Sequence, residues 1–202
     1  MAHYINKNSF CTALATISLL LFASGCATNN RLISETDIVY ASKRSTLSYT
    51  GKDKNRHSPL LYLDQSIVKE IRRDNSVEYT IYDVLALKST SFNIEEKVFM
   101  LVDNEVFPMK IDKVEHEWAK NISEKTEDIL TSDSTSISIV TGYSENNKKL
   151  ARFSYKLSDE AILKIITSGE LRFRYYAGPG MITVKLKKST LKKFKALINK
   201  AA

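Results

Sequence analysis

Cysteine, glycine and histidine are all in short supply. The 202 residues hold two cysteines, Cys11 and Cys26, both within the first 26 positions. Residues 27–202 can therefore form no disulfide and no thiolate metal site, and their fold must rest on a hydrophobic core. The six glycines make no G-x-G-x-x-G, no P-loop and no G-x-S-x-G elbow, so the motifs of nucleotide binding and of the α/β-hydrolase nucleophile are missing. No cofactor is expected. His3 sits in the N-terminal leader, which leaves His57 and His116. Neither has H-x-x-x-H or H-E-x-x-H spacing. The run Glu115-His116-Glu117 cannot converge on one ion, because helical neighbours splay by about 100° and strand neighbours face opposite ways. No metal site is expected. Beyond residue 22 no apolar run approaches the ~20 residues that a spanning helix needs.

The N-terminus is the exception to this sparseness. Residues 1–9 are polar and carry Lys7 beside the initial amine. Residues 10–22, FCTALATISLLLF, are apolar, and Ala23-Ser24-Gly25-Cys26 follows. A basic start, an apolar stretch of about 7–15 residues and small residues at a cut site describe a secretory signal peptide. Ala23-Ser24-Gly25-Cys26 resembles the lipobox of bacterial lipoproteins. The resemblance implies removal of residues 1–25, diacylation of Cys26 and acylation of its new amine. It covers four residues and is silent on the fold behind them. One acyl chain binds a bilayer marginally, whereas two or more hold stably. Ala27 lacks the Asp that resembles an inner-membrane retention signal, so the resemblance places the protein in the cell envelope, lipid-anchored at the periplasmic face of the outer membrane.

Charge is unevenly spread. The formal net charge is +7. Residues 26–147 carry 15 Lys+Arg against 20 Asp+Glu, and residues 148–202 carry 14 against 3. Such asymmetry points either to an anionic partner or to complementarity between the two halves. Lipid head groups and acidic envelope polymers are the candidate anions. Nucleic acid is not expected for an exported chain.

The patterning predicts one globular domain over 32–202, behind a lipidated cysteine and short tether at 26–31. Residues 38–50 are ambiguous and 51–59 read as a polar loop. Val77, Tyr79, Ile81, Leu85 and Leu87 alternate as one face of a strand. Residues 97–111 read as a hairpin turning at Asp103-Asn104, with Pro108 marking an edge or bulged strand. Val114, Trp118, Ile122, Ile129 and Leu130 recur near helical spacing, which predicts a helix over 113–130. A loop at 132–136, a strand at 137–143, a polar turn at 144–149 and a strand at 150–155 follow. Ser158 caps a helix with Ile162, Leu163, Ile165 and Ile166 inward, stapled by Leu157 and ended by a left-handed Gly169. Residues 170–176 and 181–186 are strands about a turn, and Ser189 caps a last helix. The class is α+β: mainly antiparallel sheet with two or three helices, ending in helix, β-hairpin, helix.

On the strand at 170–176, Arg172, Arg174 and Tyr176 share the outer face. Lys185 and Lys187 add to it from the facing strand. Forked donors beside an aromatic suit phosphate, carboxylate or sugar. The same arginines could instead pair with the acidic half and cover apolar surface with their stems. The expected function is a non-catalytic binding or assembly module for a protein or an acidic envelope polymer. The alternative is an envelope hydrolase using His57 or His116 as its base.

Overall fold

A computed structural model describes residues 30–130 and 135–200. The expected signal peptide, the lipobox-like motif with Cys26, most of the expected tether and the greater part of the 132–136 loop lie outside them. The described chain is mostly antiparallel sheet with two helices. Strands β1 (Arg31–Asp37), β2 (Ser42–Gly51), β3 (Leu60–Ile71) and β4 (Val77–Lys88) follow one another as a meander. Next come β5 (Ile94–Val102), β6 (Glu105–Met109), β7 (Glu115–Ala119), β8 (Ile122–Leu130), β9 (Ser136–Glu145) and β10 (Lys148–Lys156). Helix α1 (Asp159–Thr167), strands β11 (Leu171–Ala177) and β12 (Gly180–Lys185), and helix α2 (Lys188–Asn199) complete the chain.

The strands form a six-stranded sheet ordered β1-β2-β3-β4-β10-β7, a four-stranded sheet ordered β12-β11-β5-β6 and a separate β8-β9 ribbon. Period-two alternation explains the two larger sheets. On β3, Leu63 and Ile67 turn inward, on β4 Ile81, Leu85 and Leu87, and on β11 Leu171, Phe173 and Tyr175. These side chains belong to one core, where Phe153 of β10 meets Tyr175 of β11 with ring centroids 6.0 Å apart. Helix α2 packs on β2 and β3 through Leu191, Phe194, Leu197 and Ile198, and α1 packs on α2 and β5. Ser158 caps α1 by accepting from the Ala161 amide (3.3 Å).

Polar side chains also sit in this core. Asp83 accepts from Gln65 Nε2 (2.6 Å), Tyr155 Oη (3.0 Å) and Tyr175 Oη (2.9 Å), and Tyr49 Oη donates to Gln65. Lys69, 6% exposed, donates from Nζ to the carbonyls of Ile198 (2.8 Å) and Lys200 (2.6 Å), and so caps the C-terminal end of α2.

Several expectations need correction. Residues 113–130 are not a helix but β7 and β8. Val114, Trp118 and Ile122 are four apart, a spacing that fits a strand face as well as a helix, because four is a multiple of two. Leu163 is 67% exposed rather than buried. Gly169 is not left-handed: its amide donates to the Asp103 carboxylate (3.0 Å), and Ser168 ends α1 in an extended conformation. Ser189 is not the cap of α2, which starts at Lys188 behind Lys187 with no side-chain cap. Residues 144–149 do not fold back as a turn; β9 passes almost directly into β10, pairing first with β8 and then with β4 and β7. Arg31, read as tether, opens β1.

Candidate anion-binding site

The site lies at the corner where the two larger sheets meet. After β2 the chain crosses to β12, where Asp53 forms a single bridge with Val184 and its carboxylate accepts from the Thr183 amide (3.3 Å). The crossing is tight. A Cβ on Gly51 would come within 2.6 Å of Val184 Cγ1, so glycine is required by close approach. The crossing presents Lys52 and Lys54 beside Lys185 of β12 and Lys187 at the N-cap of α2. Together they line a cavity of about 450 Å³ floored by Tyr49 and Thr190.

Three features make this cavity suited to an anion. Its lining holds four lysines and one acid, and that acid, Asp53, is engaged by the Thr183 and Asn55 amides. The first intrahelical bond of α2 runs from Leu191 N to Lys187 O (3.0 Å), so the Lys188, Ser189 and Thr190 amides precede it, and the first turn holds no acidic residue. Thr190 is only 3% exposed, and its hydroxyl has no hydrogen-bond partner among the described residues. By contrast, the cavity lined by Arg44, Arg72 and Arg73 also holds Glu70 and Asp74. There Arg44 reaches Glu70 (3.9 Å), and Arg72 pairs with Glu78 (3.0 Å).

The five residues expected to act together are divided. Arg172 and Lys185 share Glu170 as an ion partner, with Arg172 at 2.9 Å. Arg174 Nε donates to Thr183 Oγ1 (3.3 Å), and Tyr176 meets Phe99 edge-on at 5.9 Å. These contacts tie Arg172, Arg174 and Tyr176 into the outer face of the four-stranded sheet, and none of the three lines the cavity. Only Lys185 and Lys187 line it. Lys52, Lys54 and Thr190 were not singled out from the sequence. The signal available was the run Lys52-Asp53-Lys54 directly after a glycine.

Part of the charge asymmetry is spent on ion pairs between the two halves. Arg152 pairs with Glu117, Lys156 with Glu78 (2.8 Å) and Lys164 with Glu105 (2.5 Å), each across the two halves. Lys187, Lys188 and Lys192 are exposed and have no ion or hydrogen-bond partner among the described residues.

A second exposed feature is the β8-β9 ribbon. Each β8 residue is exposed, as is nearly all of β9. Nine residues at ~3.3 Å each make an arm roughly 30 Å long. The register puts Ile129, Ile137 and Ile139 on one face, and Ile122, Leu130, Val140 and Tyr143 on the other. The two strands carry four acidic side chains and one lysine.

His57 and His116 are exposed and line none of the cavities described. Neither imidazole is hydrogen-bonded to a serine or a carboxylate among the described residues.

No protein-family model matches the chain, and no curated protein or solved structure is significantly similar to it.

Proposed function

We propose that this protein is a lipid-anchored, non-catalytic binding module of the bacterial envelope, whose site is the lysine cavity at the N-terminus of α2. The observation that carries the binding role is the convergence of Lys52, Lys54 and Lys187, beside a Lys185 shared with Glu170, on an uncapped helix start and a Thr190 hydroxyl without a partner among the described residues. Ammonium groups and helix-start amides favour the same ligand, a phosphate or carboxylate group. An acidic envelope polymer offers many such groups. The lipobox-like Ala23-Ser24-Gly25-Cys26 supports the address: acyl chains on Cys26, at the periplasmic face of the outer membrane. An anchor of this kind raises the local concentration of the module near its ligand.

Pull-down on lipopolysaccharide and on peptidoglycan, at low and high salt, tests the site. The wild type should bind one of them in a salt-sensitive way. Replacing Lys52→Ser with Lys187→Ser should weaken that binding about tenfold or more, since hydrogen bonds to charged groups contribute ~1.5–3 kcal/mol each. Binding unchanged in the double variant would remove the cavity from the account. Cys26→Ala should move the protein from the membrane to the soluble periplasmic fraction, and its retention on the membrane would contradict the anchor.

The β8-β9 arm favours a second role beside the first, capture of a partner protein. A two-stranded ribbon is marginal in water by itself, and this one leaves seven large apolar side chains exposed. Its free edges accept an added strand, and its acidity selects a partner strand bearing basic side chains. Photo-cross-linking from Ile137 and Tyr143 in cells should trap one discrete partner if the arm serves this role, and should give no defined adduct if it does not.

A further inference from the structure

The described chain begins beside α2. Lys193 Nζ donates to the carbonyl of Asn30, the Asn30 amide donates to Ser48 O (3.0 Å), and Lys200 Nζ reaches Ser34 Oγ. Cys26 is four residues before Asn30. An extended chain covers at most ~3.6 Å per residue, so Asn30 lies within about 14 Å of the anchored cysteine. Helix α2 rises ~1.5 Å per residue, which puts Lys188 about 8 Å along the helix from Lys193. The outer side of α2 and the lysine cavity are thus confined to the neighbourhood of the surface that holds the anchor.

The C-terminal segment on that side has one sign of charge, with Asp53 in the cavity and Glu35 of β1 as neighbouring acids. Residues 171–202 contain nine Lys+Arg and no Asp or Glu. Lys187, Lys188 and Lys192 project from α2 without partners among the described residues, and Lys52 and Lys54 lie at its N-terminal end. The apolar side of the same helix is spent on the core, through Leu191, Phe194, Leu197 and Ile198. The helix therefore does not insert into a bilayer; it can only present ammonium groups to one.

We infer that the lysine side of α2 rests on anionic lipid head groups of the membrane that carries the anchor, with a lipid phosphate occupying the cavity at its N-terminus. This rests on the anchored-module reading and names the source of the anion. Acyl chains and a basic surface are two independent membrane signals, and together they orient the domain rather than merely tether it. The β7 edge, from which the β8-β9 arm departs, is the far edge of the six-stranded sheet from β1. It stands five strand spacings, roughly 24 Å, from the tethered edge.

The test uses the full chain with Cys26→Ala, so that no acyl group contributes, in co-sedimentation with phosphatidylcholine vesicles and with vesicles containing phosphatidylglycerol. The inference expects binding to the anionic vesicles only, lost at high salt, and reduced about tenfold by Lys188→Glu with Lys192→Glu. An acid at the first helical position favours the helix dipole, so this variant should fold as stably as its parent, and Lys125→Glu on the arm should bind like the parent. Equal binding to both vesicle types, no binding to either, or binding indifferent to the α2 reversals would overturn the inference. Failure of the anchor reading shows separately, as a wild-type protein recovered in the soluble fraction. A cavity that takes lipopolysaccharide or peptidoglycan while the vesicles stay unbound would leave the module intact and remove the lipid as its ligand.

Discussion

Asp83 is the residue whose setting has the largest consequence for stability. It is 1% exposed, and burial raises its carboxyl from an ordinary value near 3.8 to about 7, against the opposing effect of donors from Gln65, Tyr175 and Tyr155. Between those two values the folded state holds a proton that the unfolded state has released. Stability from this group is therefore complete below about pH 4 and is lost as the pH rises through about 7. At ~1.36 kcal/mol per unit, a rise from about pH 5 to 8 should cost roughly 2–3 kcal/mol. Chemical denaturation across that range checks it, and Asp83→Asn should flatten the slope. The sequence contained the sign of this residue, since Asp83 falls at an inward position between Ile81 and Leu85. Its three partners, on β3, β10 and β11, are brought together only by the closed sheets. Lys69 behaves likewise: Lys69→Met should lower stability by ~1–3 kcal/mol, because two carbonyls at the end of α2 lose their buried donor. Thr190→Val should leave the melting temperature almost unchanged, yet weaken phosphate binding several-fold, in line with the ~0.5–1.5 kcal/mol net contribution of one neutral hydrogen bond.

Legibility did not follow burial alone: β4, β10, β11 and the exposed β9 were legible as strands, whereas β2 was ambiguous and β3, whose inward face includes the polar Gln65 and Lys69, was not legible. Strand β11 alternates cleanly, and β4 does so from Ile81 to Leu85, because the core there takes every second side chain, whereas β5 was legible as the apolar run from Val98 to Val102. Helix α1 was legible from Leu157 onward, since its Ser158 cap and acidic first turn are local signals. Strand β8 has no buried face at all. With neither side selected for apolarity, its few large residues fell at a helical spacing by composition alone. The same exposure predicts that the arm is dispensable for folding. Joining Asn121 to Asn146 with an Asn-Gly turn should leave the melting temperature within a few degrees of the parent, because β7 still pairs with β10 and the core loses nothing. A collapse of the melting transition on this deletion would show that the arm packs on the body.

At the scale of the whole molecule, the charge asymmetry could be counted from the sequence but not apportioned. Which lysines are paired depends on where Glu78, Glu105, Glu117 and Glu170 come to lie, and each meets a cation that the strand order brings to it. Of the cations without an ion partner among the described residues, Lys52, Lys54 and Lys187 meet where β2 crosses to β12 and α2 begins. That corner was missed because its components are far apart in the chain: Gly51 and Lys54 on one side, Lys185 to Thr190 on the other. The expected cluster of Arg172, Arg174 and Tyr176 was right in sharing one strand face, but its guanidiniums are taken up by Glu170 and Thr183.

The account turns on whether the lysine cavity holds an anion at the start of α2. The most direct measurement is amide NMR of the Cys26→Ala chain during titration with inorganic phosphate. The amides of Lys188, Ser189 and Thr190 should shift together and saturate, and the response should vanish in the Lys52→Ser, Lys187→Ser variant. Shifts spread evenly over surface lysines, or no shift at those three amides, would contradict it.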